Sequence, residues 1–94
     1  MTTVEAQILE FATEQWGVKR MEDMGLKLAE EVGEVAAALV KIPEGRATHT
    51  ELDDELADVL VVMSQLAARR GQTLHSLQAA GFKKIKARAA GEIQ

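Results

Sequence analysis

The chain has 94 residues and a formal net charge of −4, with 47% hydrophobic and 28% charged residues. This length predicts a single domain over residues 1–94, and the hydrophobic content indicates a folded chain rather than a disordered one. The acidic balance argues against a protein that binds nucleic-acid polymers. Because cysteine is absent, disulfides, thiolate metal sites and catalysis by cysteine are excluded.

The N-terminal residues carry no basic segment followed by an apolar one, so they do not resemble a signal peptide. The longest apolar run, Leu56 to Met63, is interrupted by Asp58 and is too short to span a bilayer. We therefore expect a cytoplasmic protein with no membrane partner. A chain this short buries a modest core, so a homo-oligomer is expected as well.

The first predicted helix covers residues 4–16 and stops at Gly17, a residue typical of helix C-termini. Its apolar stripe consists of Ile8, Leu9, Phe11 and Ala12. Residues 17–25 are predicted to be a polar connection that closes on Gly25.

The second predicted helix covers residues 26–41, and Pro43 breaks it. Its apolar positions share one broad face, which we expect to be the core face: Leu28, Ala29, Val32, Val35, Ala36, Leu39 and Val40. The acidic residues of this helix, Glu30, Glu31 and Glu34, are expected on the other side.

The third helix is predicted to start after Thr48, because Thr48 and Glu51 have the spacing of a capping box. It extends to about Arg70, before Gly71. At about 100° per residue, Glu55 projects into the apolar stripe of this helix. A lone buried carboxylate costs several kcal/mol unless it is protonated, paired or bound to a metal, so Glu55 needs a partner.

The fourth predicted helix covers residues 74–90, with Thr73 as its cap and Gly91 at its end. Phe82, like Phe11, is expected in the core. The connections are short, so neighbouring helices are expected to be antiparallel. The sequence thus predicts an all-α protomer of four helices.

Two helices with acids three residues apart can place their carboxylates around one cavity, and all-oxygen ligation suits Mg²⁺ or Mn²⁺. The predicted ligands are Glu31, Glu34, Glu55 and Asp58, with Glu30 nearby. Most Glu-rich helices carry their acids as solvated surface charge, but Glu55 within an apolar stripe disfavours that explanation. A di-iron site is disfavoured because Glu-x-x-His motifs are lacking.

The segments Leu28-Ala29-Glu30-Glu31-Val32-Gly33-Glu34-Val35 and Glu55-Leu56-Ala57-Asp58-Val59-Leu60 resemble the motifs of the MazG-like all-α nucleoside triphosphate pyrophosphohydrolases. The resemblance implies a four-helix protomer in a homodimer or homotetramer. It implies Mg²⁺-dependent cleavage of a (d)NTP between the α and β phosphates, which yields a (d)NMP and pyrophosphate. The cellular role that it implies is housekeeping of the nucleotide pool.

The same resemblance implies roles for single residues. Glu31, Glu34, Glu55 and Asp58 would ligate the metal. Glu30 would be a further ligand or would position or deprotonate the attacking water. Lys84, then Arg88 and Lys27, would meet the phosphates, although the family often has Asn at the position of Arg88. Trp16 would stack on the base, or else pack against the second helix.

Two alternatives stay open. Phosphoribosyl-ATP pyrophosphohydrolases of histidine synthesis have a similar length, but they usually carry Gly where this chain has Ala29. The other alternative is a non-catalytic helical dimerisation module whose acids are surface charge only. Such a module would gain no thermal stability from Mg²⁺.

Overall fold

The computed structural model describes residues 2–91, and the two ends of the predicted 1–94 domain lie outside this range. Four helices follow one another: α1 (Val4–Trp16), α2 (Met21–Lys41), α3 (His49–Arg69) and α4 (Leu74–Ala89). Residues 2–91 contain no strand, so the expected all-α fold is confirmed. Within that range, no helix is long and apolar enough to cross a membrane.

Local capping chemistry sets the first residue of three helices. At α3, the Thr48 hydroxyl accepts a hydrogen bond from the Glu51 amide (3.1 Å), and the Glu51 carboxylate accepts one from the Thr48 amide (3.2 Å). Thr3 and Thr73 cap α1 and α4 in the same manner through their hydroxyl groups. Each cap satisfies an amide that would otherwise lack a partner inside the helix.

The start of α2 differs from the prediction. The helix begins at Met21 rather than at residue 26, so that Gly25 lies inside it. A glycine within a helix costs about 1 kcal/mol relative to alanine. Two interactions offset this cost: Met24 is only 3% exposed, and the Arg20 guanidinium makes two hydrogen bonds (3.1 and 3.3 Å) to the Asp23 carboxylate.

Helix α3 lies at the centre of the packing, because it contacts both α1 and α2. Helix α4 has few contacts with α3 and no buried residue. One polar contact ties its start to α1, since the Leu74 amide donates a hydrogen bond of 2.9 Å to the Glu5 carboxylate. The three-helix body therefore positions the acidic residues, and α4 extends from it.

The hydrophobic core of the described residues is small and consists of Ala12, Met24, Ala38, Val62 and Ala67. The expectation that Phe11 and Phe82 are core residues is wrong, because both are 59% exposed.

The core face of α2 is also rotated from the predicted one. Val32, Leu39 and Val40 of the predicted face are exposed, and Leu28 and Val35 are half-buried. Glu31, in contrast, is buried together with Met24 and Ala38. The side of α2 that packs on α3 is therefore the side that carries acidic residues.

Candidate metal centre

Four carboxylates from α2 and α3 converge at one place. One oxygen from each side chain lies within 4.8 Å of the others, in a cluster formed by Glu31, Glu34, Glu55 and Asp58. Each helix contributes two acids three residues apart, which places both on the same side of that helix. The packing of α2 on α3 then brings the two pairs together. We call these four residues the carboxylate cluster.

The cluster is buried at its centre and open at its edge. Glu31 is 6% exposed and Glu55 is half-buried, whereas Glu34 and Asp58 are exposed. Among residues 2–91, the buried side-chain oxygens without a hydrogen-bond partner are Oε2 of Glu31 and Oε2 of Glu55. Such an atom ordinarily costs folding free energy. Two such oxygens in one acidic cluster indicate a site for a cation, to which carboxylate oxygens donate electron pairs.

Repulsion within the cluster is visible in Glu34. A hydrogen bond shared with the Glu55 carboxyl group, together with the negative charges of Glu31 and Glu55, raises the pKa of Glu34 to about 7. Without a cation, the cluster thus holds a proton near neutral pH. A cation would replace that proton, because carboxylate ligands bind metals in their deprotonated form.

The donor set fits a hard divalent cation. All four residues offer carboxylate oxygens, which suit Mg²⁺ and Mn²⁺, and no softer ligand belongs to the cluster. The sequence pattern selected the same four residues, although it pointed to Glu55 as the most buried acid. That residue is Glu31, because α2 turns its acidic side toward α3.

A cavity of about 780 Å³ opens beside the cluster. Its lining joins part of the cluster to α1 and to the first turns of α2, and it includes Trp16, Lys19, Met24, Lys27, Glu30, Glu31, Asp58, Val62 and Gln65. The buried Val62 therefore forms part of the cavity wall. The volume is that of a site for a small organic molecule.

The predicted site residues divide into two groups. Trp16, Lys27 and Glu30 line the cavity together with Glu31 and Asp58. Lys84 and Arg88 lie on α4 and do not line it within residues 2–91. Their contact with phosphate remains a prediction, and within one protomer it has no support.

Lys27 makes the closest contact between a basic residue and the cluster. Its ammonium lies 3.0 Å from Oε1 of Glu31 and 3.5 Å from Oε1 of Glu30. The hydrogen bond to Glu31 and the negative charges of Glu30 and Glu31 raise the pKa of Lys27. The Lys27 side chain is therefore protonated and positively charged at neutral pH, and it lies at the edge of the cluster.

Two cavity residues, Lys19 and Gln65, have no signal in the sequence. Lys19 lies in the connection before α2, and Gln65 is on α3, seven residues beyond Asp58. In the sequence, a polar residue in a connection or beside an apolar stripe cannot be distinguished from an ordinary surface residue. Their place in the cavity lining depends on the packing of the helices, which the sequence does not show.

Comparison with known proteins gives a match to a family model. No curated protein and no solved structure matches the chain. The model of one family, described as the MazG nucleotide pyrophosphohydrolase domain, matches residues 19–90. This range contains α2, α3 and α4, and with them every residue of the carboxylate cluster. The chain therefore belongs to the MazG nucleotide pyrophosphohydrolase family.

Proposed function

We propose that the protein is a Mg²⁺-dependent nucleotide pyrophosphohydrolase that cleaves a (d)NTP between the α and β phosphates. The products would be a (d)NMP and pyrophosphate, and the activity would serve the nucleotide pool. The observation that carries this proposal is the carboxylate cluster, with its two buried oxygens that lack partners. Mn²⁺ is a possible substitute, because the donor set does not distinguish the two ions.

Each residue of the cluster has a role that follows from its position. Glu31 and Glu55 would form the inner part of the cation site, and Glu34 and Asp58 would complete it from the exposed side. A bound Mg²⁺ would polarise the phosphoryl oxygens and lower the pKa of the attacking water. Through that cation, the four carboxylates would also fix the position of the triphosphate, and positioning supplies much of the catalysis in phosphoryl transfer.

Glu30 and Trp16 extend the site into the cavity. The Glu30 side chain is exposed, next to the buried Glu31, so its carboxylate would hold or deprotonate the attacking water or act as a further ligand. Trp16 lies at the cavity lining with most of its ring exposed. An exposed indole offers a flat surface on which a base would stack. The ring lies edge-to-face with Phe11, at 6.2 Å between centroids, which restricts its orientation.

We also propose that the protein acts as a homo-oligomer. An outer apolar face, formed by residues 37–63% exposed, covers one side of the α2–α3 pair: Val32, Leu39 and Val40 of α2 with Leu56, Leu60 and Met63 of α3. At about 100° per residue, these positions point away from the carboxylates of their helices. The five buried hydrophobic residues among residues 2–91 make a small core for a stable domain. A second copy would cover this face and would also offer the route by which Lys84 and Arg88 reach phosphate.

Direct assay of pyrophosphate tests the activity. The protein is incubated with Mg²⁺ and each NTP and dNTP in turn, canonical and damaged, and pyrophosphate is measured. We expect release that depends on Mg²⁺ and is absent in the Glu31→Gln, Glu34→Gln double variant. If no nucleotide gives more pyrophosphate than this variant, the proposed function is wrong. Turnover of phosphoribosyl-ATP in the same assay, without turnover of any (d)NTP, would assign the other substrate.

A further inference from the structure

The feature that carries a further inference is Lys27, which is bound to the carboxylate cluster while it also faces the cavity. Its ammonium is 3.0 Å from Oε1 of Glu31. The Lys27 side chain is 54% exposed, whereas the Glu31 side chain is 8% exposed. A half-exposed, flexible side chain is thus paired with a carboxylate that is fixed in the interior.

Lys27 is the one basic residue within residues 2–91 that forms an ion pair with any member of the cluster. The pair satisfies Oε1 of Glu31, but Oε2 of the same carboxylate has no partner. The pair therefore leaves one oxygen of the most buried acid free to bind a second cation. This one ammonium group faces a cluster of four carboxylates.

Helix stability alone does not account for the pair. In isolated helices, a glutamate four residues before a lysine is stabilising, and the reverse order found here is the weaker arrangement. Because the Lys27 side chain is 54% exposed, solvent screens its side of the pair and limits what the pair contributes to folding. The position of Lys27 is better explained by the negative potential of the cluster, which attracts the nearest cation.

We propose that Lys27 is the internal counter-cation of the carboxylate cluster, which a divalent cation displaces from Glu31 and which then turns to the polyphosphate in the cavity. A divalent cation at the Glu31 carboxylate, whose Oε2 has no partner, would repel the ammonium group that is paired with Oε1 of the same carboxylate. The freed ammonium stays within the length of its own side chain, at a cavity that it already lines. There the strongest acceptors would be the outer phosphate oxygens of the nucleotide.

This inference rests on the proposed function, because it needs both a metal and a triphosphate at this cavity. It gives one residue two effects of opposite sign. Removal of the charge favours metal binding, since no ammonium has to leave Glu31. The same removal weakens binding of the triphosphate, since one phosphate partner is lost.

The test compares Lys27→Met with Lys19→Met. Both changes remove one positive charge from the cavity lining, but Lys19 forms no ion pair with the cluster within the described residues. Titration calorimetry measures Mg²⁺ affinity without nucleotide, and steady-state kinetics measure KM for the best nucleotide. For Lys27→Met we expect several-fold tighter Mg²⁺ binding and a several-fold higher KM. For Lys19→Met we expect unchanged Mg²⁺ affinity.

Every other outcome refutes either the inference about Lys27 or the proposed function. Unchanged or weaker Mg²⁺ binding by Lys27→Met, while the wild type binds Mg²⁺ and hydrolyses the nucleotide, refutes the inference alone. Equal tightening in both variants reduces Lys27 to one part of a general positive field and also refutes it. If the wild type neither binds Mg²⁺ nor releases pyrophosphate, the proposed function fails first. Melting curves of both variants without metal show whether each one is folded.

Discussion

The sequence predicts that Glu55 is more deeply buried than Glu31, but the structure shows the reverse. Glu55 lies within an apolar stripe and is half-buried, whereas Glu31, whose helix has a more apolar side elsewhere, is almost fully buried. Spacing of three residues was enough to select the four members of the cluster. The depth of each residue was not predictable, because it depends on which side of α2 packs against α3.

Glu55→Gln tests whether the cluster holds a metal. The change keeps the shape of the side chain but removes one negative charge and one strong ligand. Wild-type protein is expected to gain about 2.7 kcal/mol of unfolding free energy when Mg²⁺ reaches 100 times its Kd, whereas the variant gains little at that concentration. Melting curves with and without Mg²⁺ measure the gain. Asp53→Asn, an exposed acid of the same helix, is the control and keeps the full gain; equal gains in both variants contradict the prediction.

Glu34 gives the metal-free protein a defined pH dependence. Its pKa is raised from 4.5 to about 7, so the folded state binds this proton more tightly than the unfolded state does. The corresponding stability is complete below pH 4.5 and is lost as the pH rises through about 7. With a chelator present, the melting temperature should therefore be lower at pH 8 than at pH 6. Glu34→Gln should flatten this dependence; the same slope in wild type and variant would show that Glu34 is not its source.

At the scale of elements, local signals located the helices well where a cap was present. Thr48 with Glu51, and Thr73, mark the starts of α3 and α4 because a cap involves residues only a few positions apart. The start of α2 was missed because Gly25 is locally unfavourable in a helix, whereas burial of Met24 is a tertiary effect. The contact between Glu5 and Leu74 joins residues 69 positions apart and has no local signature.

The Glu5 carboxylate should hold the first turn of α4 in place. It accepts the Leu74 amide at 2.9 Å, and this backbone hydrogen bond lowers the pKa of Glu5. Because α4 has few other contacts, Glu5→Ala is expected to speed hydrogen exchange of the Leu74 amide and of the first turn, with little effect on α3. Glu10→Ala, an exposed acid of α1, is the matched control. Unchanged exchange at Leu74 in the Glu5 variant would show that the Thr73 cap is sufficient.

At the scale of the whole molecule, one protomer explains the metal centre better than it explains the apolar surface. The residues that form the cluster and the cavity come from α1, α2 and α3. Leu77, Phe82 and Ile85 of α4 are exposed, as are the residues of the outer apolar face. Sequence patterns assign apolar residues to a buried surface but do not state whether one chain or two bury it. The core face predicted for α2 was wrong for the protomer because the pattern did not show which chain would cover it. The predicted phosphate contacts of Lys84 and Arg88 stay untested.

Leu60→Lys tests whether the outer apolar face joins two copies. Leu60 is 47% exposed on α3, and a charge there would be buried without a partner in an oligomer but solvated in a monomer. Light scattering after size exclusion should therefore give an oligomer for the wild type and a monomer for the variant. Val18→Lys places the same charge on a residue that is 82% exposed in the connection before α2, so it should leave the mass unchanged. A wild-type monomer would refute the homo-oligomer, whereas an oligomer that tolerates Leu60→Lys would place the interface elsewhere.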